Sequence, residues 1–203
     1  MTPSTLTGRD FEAVVVEQND IYERNLQASI GRYGVQATFS KSPITGKLEN
    51  IIHRSLPDFE GTMLRGTHII FDCKVCSAAS FSWTDYRATT KGSKARQLNH
   101  MIRRSRFGAF TFFLMHWNER VLQKKVVPAE TWIFPVNAED DYWHRVQFGE
   151  VKSMNLEDCR GRGSRVHWVL NGARGSKYRP DYLDTVVAML EEPAPATLFG
   201  DAL

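Results

Sequence analysis

Residues 57–76 read PDFEGTMLRGTHIIFDCKVC and predict the central hairpin of the fold. Two segments of strand length, residues 58–63 and 67–75, flank the three residues Leu-Arg-Gly. Three-residue hairpin loops commonly have glycine last, so the sequence predicts an antiparallel hairpin. A loop of this length places Asp58 on the first strand directly opposite Asp72 on the second.

The second strand of the hairpin carries two charges on an otherwise apolar segment. Side chains alternate between the two faces of a strand, so Asp72 and Lys74 lie on the same face. The opposite face carries four residues that can pack in a core, namely Ile69, Phe71, Cys73 and Val75. A strand this apolar can therefore still present an acid and a base to a functional site.

The two opposed carboxylates indicate a cation site. Like charges directly opposite each other destabilise a sheet, and a divalent cation between Asp58 and Asp72 removes that repulsion. Magnesium binds through one or two carboxylates and keeps its other positions for water and substrate phosphate; we expect manganese to substitute for it. Lys74 can position or deprotonate the attacking water, or neutralise charge on the reacting phosphate. The pattern predicts metal-dependent hydrolysis of a phosphodiester.

Basic residues are concentrated in two runs without acids, residues 91–106 and 160–179. The net charge is only +3, but the five acids that follow Arg179 leave residues 1–179 with a net charge of +8. A polyanion such as DNA is the expected partner, bound with an affinity that falls steeply with salt. The residues that we expect to contact phosphates are Lys41, Lys91, Lys94, Arg96, His100, Arg103, Arg104, Arg160, Arg162 and Arg165.

The rest of the chain alternates helical and strand periodicity, which predicts an α/β fold with a central mixed β-sheet flanked by helices. We expect a single domain over residues 1–192, with a possible short stalk at 41–57 and a mobile tail at 193–203 that is rich in proline and alanine. The predicted helices are 8–32, with Thr7 as N-cap, 95–105 and 180–190; the predicted strands besides the hairpin are 35–39, 108–117, 131–136 and 165–170.

Composition excludes several classes of protein. With 203 residues, 42% of them hydrophobic and 24% charged, the chain can bury a core. It has no run of the roughly 18 apolar residues that a membrane span needs and no apolar signal-peptide core, so we expect a cytoplasmic protein without a membrane partner. Three cysteines suit a reduced protein. Cys73 and Cys76 form a C-x-x-C, but an offset of three on a strand separates their faces and no second ligand pair follows, so zinc is not expected.

Several segments together resemble one nuclease family. The acids and lysine of PDFEG and IIFDCK are joined by GRDFEAVVVEQN at residues 8–19, by Ser80-Phe81 and by RQLNHM at residues 96–101. Over residues 8–116 this set resembles the RecU-like Holliday junction resolvases of the PD-(D/E)xK nuclease superfamily. Two features depart from the family pattern: Asp72 stands where the family usually has glutamate, and only residues 41–57 could form the family's stalk.

The resemblance implies a restriction-endonuclease-like core and a magnesium-dependent DNA endonuclease. It implies that Glu12 and the backbone carbonyl of Cys73 join Asp58 and Asp72 at the metal, and that Gln97 lies by the active site. The substrate it implies is a four-way DNA junction resolved by paired nicks. Because such a junction has two equivalent strands to cut, a C2 homodimer with two active sites is the expected assembly.

Two alternatives remain open at this point. One keeps the nuclease and changes its substrate to duplex DNA or another branched DNA. The other is a nucleic-acid-binding module without catalysis, in which the basic runs bind phosphates and aromatic side chains stack on bases. The candidate aromatic residues are Trp83, Tyr86, Trp117 and Trp168.

Overall fold

The structure is a computed structural model that describes residues 2–33, 36–41, 48–53, 56–90, 92–122, 124–171 and 177–191. Five helices lie in this part of the chain: α1 (Gly8–Arg24), α2 (Ser93–Ser105), α3 (Asp141–Phe148), α4 (Leu156–Arg162) and α5 (Tyr182–Glu191). The strands are β1 (Ala28–Arg32), β2 (Gln36–Lys41), β3 (Leu48–His53), β4 (Phe59–Met63), β5 (His68–Cys76), β6 (Ser80–Ser82), β7 (Phe110–Trp117), β8 (Arg120–Leu122), β9 (Lys125–Val127), β10 (Glu130–Val136), β11 (Ser153–Asn155), β12 (Ser164–Asn171) and β13 (Lys177–Asp181).

Seven of these strands form one sheet in the order β1-β4-β5-β7-β10-β12-β13. Only β5 and β7 run parallel among the described neighbours, and α2 lies in the crossover between them; the other pairs are antiparallel. The predicted central mixed sheet is therefore confirmed, and β5 lies inside it with a strand on each side. A connection that returns to a parallel neighbour commonly contains a helix.

The predicted hairpin forms between β4 and β5 with the predicted register. Phe59 pairs with Phe71, so one step further along the same register places Asp58 opposite Asp72. Arg65 and Gly66 in the turn have φ of 80° and 86°, a backbone conformation that glycine adopts without strain. The loop length thus fixes which side chains of the two strands face each other.

Two hydrophobic cores cover the two faces of the sheet. Alternate residues of β5 and β7 divide between them: Phe71 and Phe112 pack with α1 and α5, whereas Ile70 and Phe113 pack with α2, α3 and α4. The rings of Phe59, Phe71 and Phe112 stack across three strands with centroids 4.9 and 4.8 Å apart. Since β5 and β7 are covered on both sides, Asp72 is a charged residue inside a packed sheet.

The first helix is shorter than predicted. Thr7 caps it as expected, with its hydroxyl accepting from the Asp10 backbone N–H. The helix ends at Arg24, and Leu26 has a φ of 56° and an 80% exposed side chain. Residues 28–32 form the edge strand β1 instead, because Ala28 and Ile30 are buried on one face of a strand that pairs with β4. The spacing of Leu26 and Ile30 fits a helix, but the tertiary pairing overrides it.

Other predicted boundaries shift by a few residues. The helix predicted over 95–105 is α2, and the buried strand predicted over 108–117 is β7. The last helix begins at Tyr182 rather than 180, because Pro180 pairs with Trp168 in the sheet. The strand predicted over 35–39 is β2, which pairs with β3 in a separate two-stranded sheet. Of these two strands, β3 lies within residues 41–57, the range of the possible stalk, which stays a prediction. The tail predicted over 193–203 lies outside the described residues. No described helix is long and apolar enough to cross a membrane.

Candidate active site

The hairpin brings the two predicted metal-binding carboxylates together. Asp72 lies in the middle of β5 with a fully buried side chain. Asp58 lies immediately before β4, and its Oδ2 accepts a hydrogen bond of 2.8 Å from the backbone N–H of Cys73. This bond ties Asp58 to the strand that carries Asp72. Both acids are thus fixed by backbone register rather than by flexible side-chain contacts.

Lys74 forms an ion pair with Asp72, between its ammonium and Oδ2. The Lys74 side chain is 19% exposed and that of Asp72 is 0% exposed. Among the described residues, the Lys74 ammonium is the only cation paired with the carboxylate of Asp72. A buried carboxylate with this little compensation is a strong acceptor for a cation.

Burial raises the pKa of Asp72 to about 7, with nearby Asp58 adding to the shift and Lys74 opposing it. Burial lowers the pKa of Lys74, but the carboxylate of Asp72 and, to a smaller extent, Tyr86 and Asp58 raise it, and the net result lies above the ordinary value. The ammonium therefore stays charged. The folded chain concentrates negative charge at a site with few donors, which is the electrostatic condition that a bound divalent cation relieves.

Glu12, on the first part of α1, lies at the same site. Burial raises the pKa of Glu12 and Asp58 raises it further, whereas Arg32 and Lys74 lower it. The Glu12 Oε2 accepts a hydrogen bond of 2.6 Å from Arg32 Nη2. Arg32 was not among the predicted site residues, because residues 25–32 were predicted to be helical. The alternation of Ala28 and Ile30 was the sequence signal for a strand.

Gln97 of α2 contacts the chain just before Asp58. Its Nε2 donates to the backbone carbonyl of Leu56 over 2.9 Å. His100, one helical turn further on, has its ring edge-on to that of Tyr33, with centroids 5.9 Å apart. Burial lowers the pKa of His100, and the charges of neighbouring arginines lower it further. This side of α2 therefore faces the segment that enters the site.

The donor set fits magnesium. No three His, Cys, Asp or Glu side chains in the described part of the chain are preassembled as a metal cluster. What is assembled is the Asp58 and Asp72 pair, in which the carboxylate of Asp72 is fully buried and has Lys74 as its one cationic partner among the described residues. Magnesium needs only one or two protein carboxylates. Glu12 is engaged by Arg32, which favours contact with a cation through water. The assignments of Glu12 and of the Cys73 carbonyl as ligands stay predictions.

The cysteines lie apart from this chemistry. Cys73, Cys76 and Cys159 are buried and form no disulfide. Cys73 belongs to the core under α1 and α5 and Cys76 to the core on the other face, as the strand alternation predicts.

The predicted phosphate contacts divide into two groups. Arg96 and Arg103 are exposed on α2, and Arg165 is exposed on β12; these remain predicted DNA contacts. Arg104 Nη2 lies 3.1 Å from His68 Nε2, and Lys94 is paired with Asp85 over 2.9 Å. Lys91 lies outside the described residues, as does the side chain of Lys41.

The basic residues of α4 are engaged within the protein. Arg160 is held by the buried Glu130 and by Glu157. Arg162 lies 3.5 Å from Asp140 and above the ring of Tyr142. These contacts favour a structural role for both guanidinium groups over phosphate binding.

The aromatic residues that were candidates for base stacking are buried. The side chains of Trp83, Tyr86 and Trp117 are fully inaccessible, and that of Trp168 is 8% exposed. Trp83 donates from Nε1 to the hydroxyl of Tyr142 over 2.8 Å. These residues pack the cores and do not offer faces to nucleic acid, which removes one of the two supports for a non-catalytic binding module.

Comparison with known proteins identifies the family of the chain. The model of the family described as RecU, recombination protein U, matches residues 6–184, which extends well beyond the segment whose resemblance was evident in the sequence. Among solved structures, the chain is similar to that of Archaeoglobus fulgidus Hjc, described as a Holliday junction resolvase from an archaeal hyperthermophile. The TM-score is 0.41 and the identity 12%, over 78% of this chain and 95% of that chain. No curated protein matches. Because the family model covers most of its length, the chain belongs to the RecU family of recombination proteins.

Proposed function

We propose that this protein is a metal-dependent, structure-selective DNA endonuclease that resolves four-way junctions by paired nicks. The observation that carries the proposal is the pairing of half-buried Asp58 with fully buried Asp72, with Lys74 beside them, on the hairpin of a RecU-family chain. Nothing else in the described residues combines two opposed acids with an adjacent ammonium. The reaction is hydrolysis, in which a bond forms between a water oxygen and phosphorus and the bond from phosphorus to a deoxyribose oxygen breaks.

In this mechanism Asp58 and Asp72 would hold magnesium, with Glu12 beside them. A divalent cation held there would supply Lewis-acid chemistry for the scissile phosphate and the attacking water. The Lys74 ammonium, released from Asp72, donates a hydrogen bond to the attacking water or to a phosphate oxygen and stabilises the negative charge that builds up. Gln97 fixes the chain that leads into Asp58 through its bond to the Leu56 carbonyl.

The exposed arginines of α2 extend from this site and are proposed to bind the DNA backbone. Arg96 and Arg103 lie on the helix that carries Gln97, so a strand seated at the carboxylates passes within their reach. Backbone contacts of this kind position the substrate without reading its sequence. Recognition of a junction therefore depends on shape, which suits a homodimer whose two sites act on the two equivalent strands. A single domain over residues 1–192, acting in the cytoplasm, belongs to the same proposal.

The test is cleavage by the wild-type chain of a labelled four-way junction, a duplex of the same sequence and the corresponding single strand, each with magnesium or with EDTA. The proposal predicts cutting of the junction with magnesium and none with EDTA. Metal-dependent cutting of the duplex at the same rate would support the proposed active site and rule out selectivity for the four-way junction. Tight binding of the junction without cutting under any condition would overturn the nuclease.

A further inference from the structure

The hydroxyl of Tyr86 is buried and has no hydrogen-bond partner among the described residues outside the candidate active site. The Tyr86 side chain is fully inaccessible and belongs to the core on the α2 face of the sheet. Buried polar groups in folded proteins almost always have a partner, so a buried hydroxyl without one calls for a physical explanation. Phenylalanine would fill the same space without the polar atom.

Tyr86 lies beside the site. It ends a single 3₁₀ turn, Thr84–Tyr86, between β6 and α2. Its ring is edge-on to that of Phe113, with centroids 5.8 Å apart, and Phe113 is the β7 residue that pairs with Asp72. The ring therefore covers the face of β5 that carries Asp72 and Lys74. Burial raises the pKa of Tyr86, whereas the charge of the Lys74 ammonium and a side-chain hydrogen bond with it lower that pKa, in keeping with this placement.

The Lys74 ammonium needs a second acceptor if the proposed function holds. Without a metal it is paired with Asp72. A cation that takes the oxygens of Asp72 weakens this pair and leaves an ammonium with 19% exposure in need of an acceptor. The oxygen of Tyr86 is a buried acceptor near it that no other group uses.

We propose that Tyr86 is a positioning residue, whose hydroxyl oxygen accepts a hydrogen bond from Lys74 and holds the ammonium toward the reacting phosphate when Asp72 binds the metal. This inference rests on the proposed function and deepens it. Tyr86 touches neither water nor phosphate itself; it acts through Lys74.

Tyr142 provides a matched control in the same aromatic cluster. Its hydroxyl accepts from Trp83 Nε1, and the Trp83 ring lies 5.1 Å from that of Tyr86. The hydroxyl of Tyr142 therefore has a structural partner, whereas that of Tyr86 has none outside the site. Removing each hydroxyl in turn separates a structural from a positioning role.

The experiment compares Tyr86→Phe and Tyr142→Phe in thermal unfolding and in junction cleavage. For Tyr86→Phe we expect the cleavage rate at saturating substrate to fall about tenfold to a hundredfold, as for loss of a hydrogen bond to a charged group, with unchanged KM and no loss of Tm. For Tyr142→Phe we expect a lower Tm and an unchanged rate. In a Lys74→Arg background, adding Tyr86→Phe should not reduce the cleavage rate below that of Lys74→Arg alone.

A second readout does not depend on turnover. The ¹³Cε resonance of Lys74, assigned by its loss in Lys74→Arg, should shift between wild type and Tyr86→Phe when magnesium is present without DNA. If the wild type fails to cut any junction, the proposed function falls and this resonance still tests the contact. If the wild type cuts but Tyr86→Phe cuts equally fast, or lowers Tm as Tyr142→Phe does, or leaves the resonance unmoved, the role of Tyr86 is overturned.

Discussion

We expect the free energy of unfolding to depend on pH through His116. The side chain is fully buried on β7, with its ring 5.3 Å from that of Phe11 and 5.7 Å from that of Trp168. Its Nδ1 lies 2.9 Å from Thr131 Oγ1, and Nε2 has no partner among the described residues. Burial lowers the pKa of His116 from 6.5 to about 4, with Asn118 opposing part of the shift.

The sign of the effect follows from this depressed pKa. Well above pH 6.5 the His116 ring is neutral in the folded and the unfolded chain, so it adds no pH dependence to the free energy of unfolding. As pH falls from 6.5 toward 4, the unfolded chain takes up a proton that the folded chain refuses, so the free energy of unfolding decreases. The loss amounts to about 2 kcal/mol at pH 5 and approaches roughly 3 kcal/mol below pH 4.

The assay is urea unfolding of the wild type and of His116→Gln between pH 4.5 and 7.5. Glutamine cannot gain a proton, so the difference between the two free energies isolates the histidine, while the titration of carboxylates cancels. We expect the wild type to lose about 2 kcal/mol relative to His116→Gln between pH 7.5 and pH 5. His144→Gln, at an exposed position of α3, is the control and should follow the wild type. If the difference in free energy of unfolding between wild type and His116→Gln does not change with pH, His116 is not the source of the pH dependence.

Three further predictions concern the sheet, the basic residues and the metal. A Cβ at Gly61 would lie 2.3 Å from a backbone oxygen of β1, so Gly61→Ala should cost about 1–3 kcal/mol in urea unfolding; Gly31→Ala, with nothing within 4 Å, should stay within about 0.5 kcal/mol of wild type. Arg160→Ala should destabilise by roughly 2 kcal/mol and leave the salt dependence of DNA binding unchanged, whereas Arg103→Ala should lower the salt slope by about one at constant Tm. The opposite pattern would show that Arg160 contacts DNA. Magnesium at ten times its Kd should stabilise the wild type by about 1.4 kcal/mol in a thermal shift measurement and leave Asp72→Asn unmoved; an equal shift in both would place the cation elsewhere.

The hairpin was predictable because its determinants are local. The loop length and the alternation of one strand are sufficient to bring Asp58 opposite Asp72 and to place Lys74 on the same face. The helix α2 was also evident, because its apolar periodicity extends over two turns or more, and the strand β7 after it was evident as an uninterrupted apolar run. The chemistry-bearing residues of the site lie mostly on these elements.

What could not be predicted depends on contacts between distant segments. Arg32 reaches Glu12 only because residues 28–32 pair with the hairpin as an edge strand, and the helical spacing of Leu26 and Ile30 conceals that pairing. Strands of three residues, such as β6 and β11, are too short to show an alternation of apolar and polar residues. The burial of Trp83 cannot be read from its sequence neighbours either, since a tryptophan in a polar segment fits a core or a nucleic-acid surface.

The central claim is that the acids of the hairpin cut DNA junctions. The most direct measurement maps the nicks that wild type, Asp72→Asn and the exposed control Glu139→Gln make with magnesium in a four-way junction labelled on each strand in turn. We expect nicks at symmetrically equivalent positions on two opposite strands for wild type and Glu139→Gln, and none for Asp72→Asn although it still binds the junction. Equal nicking by Asp72→Asn would show that the hairpin acids do not carry the cleavage.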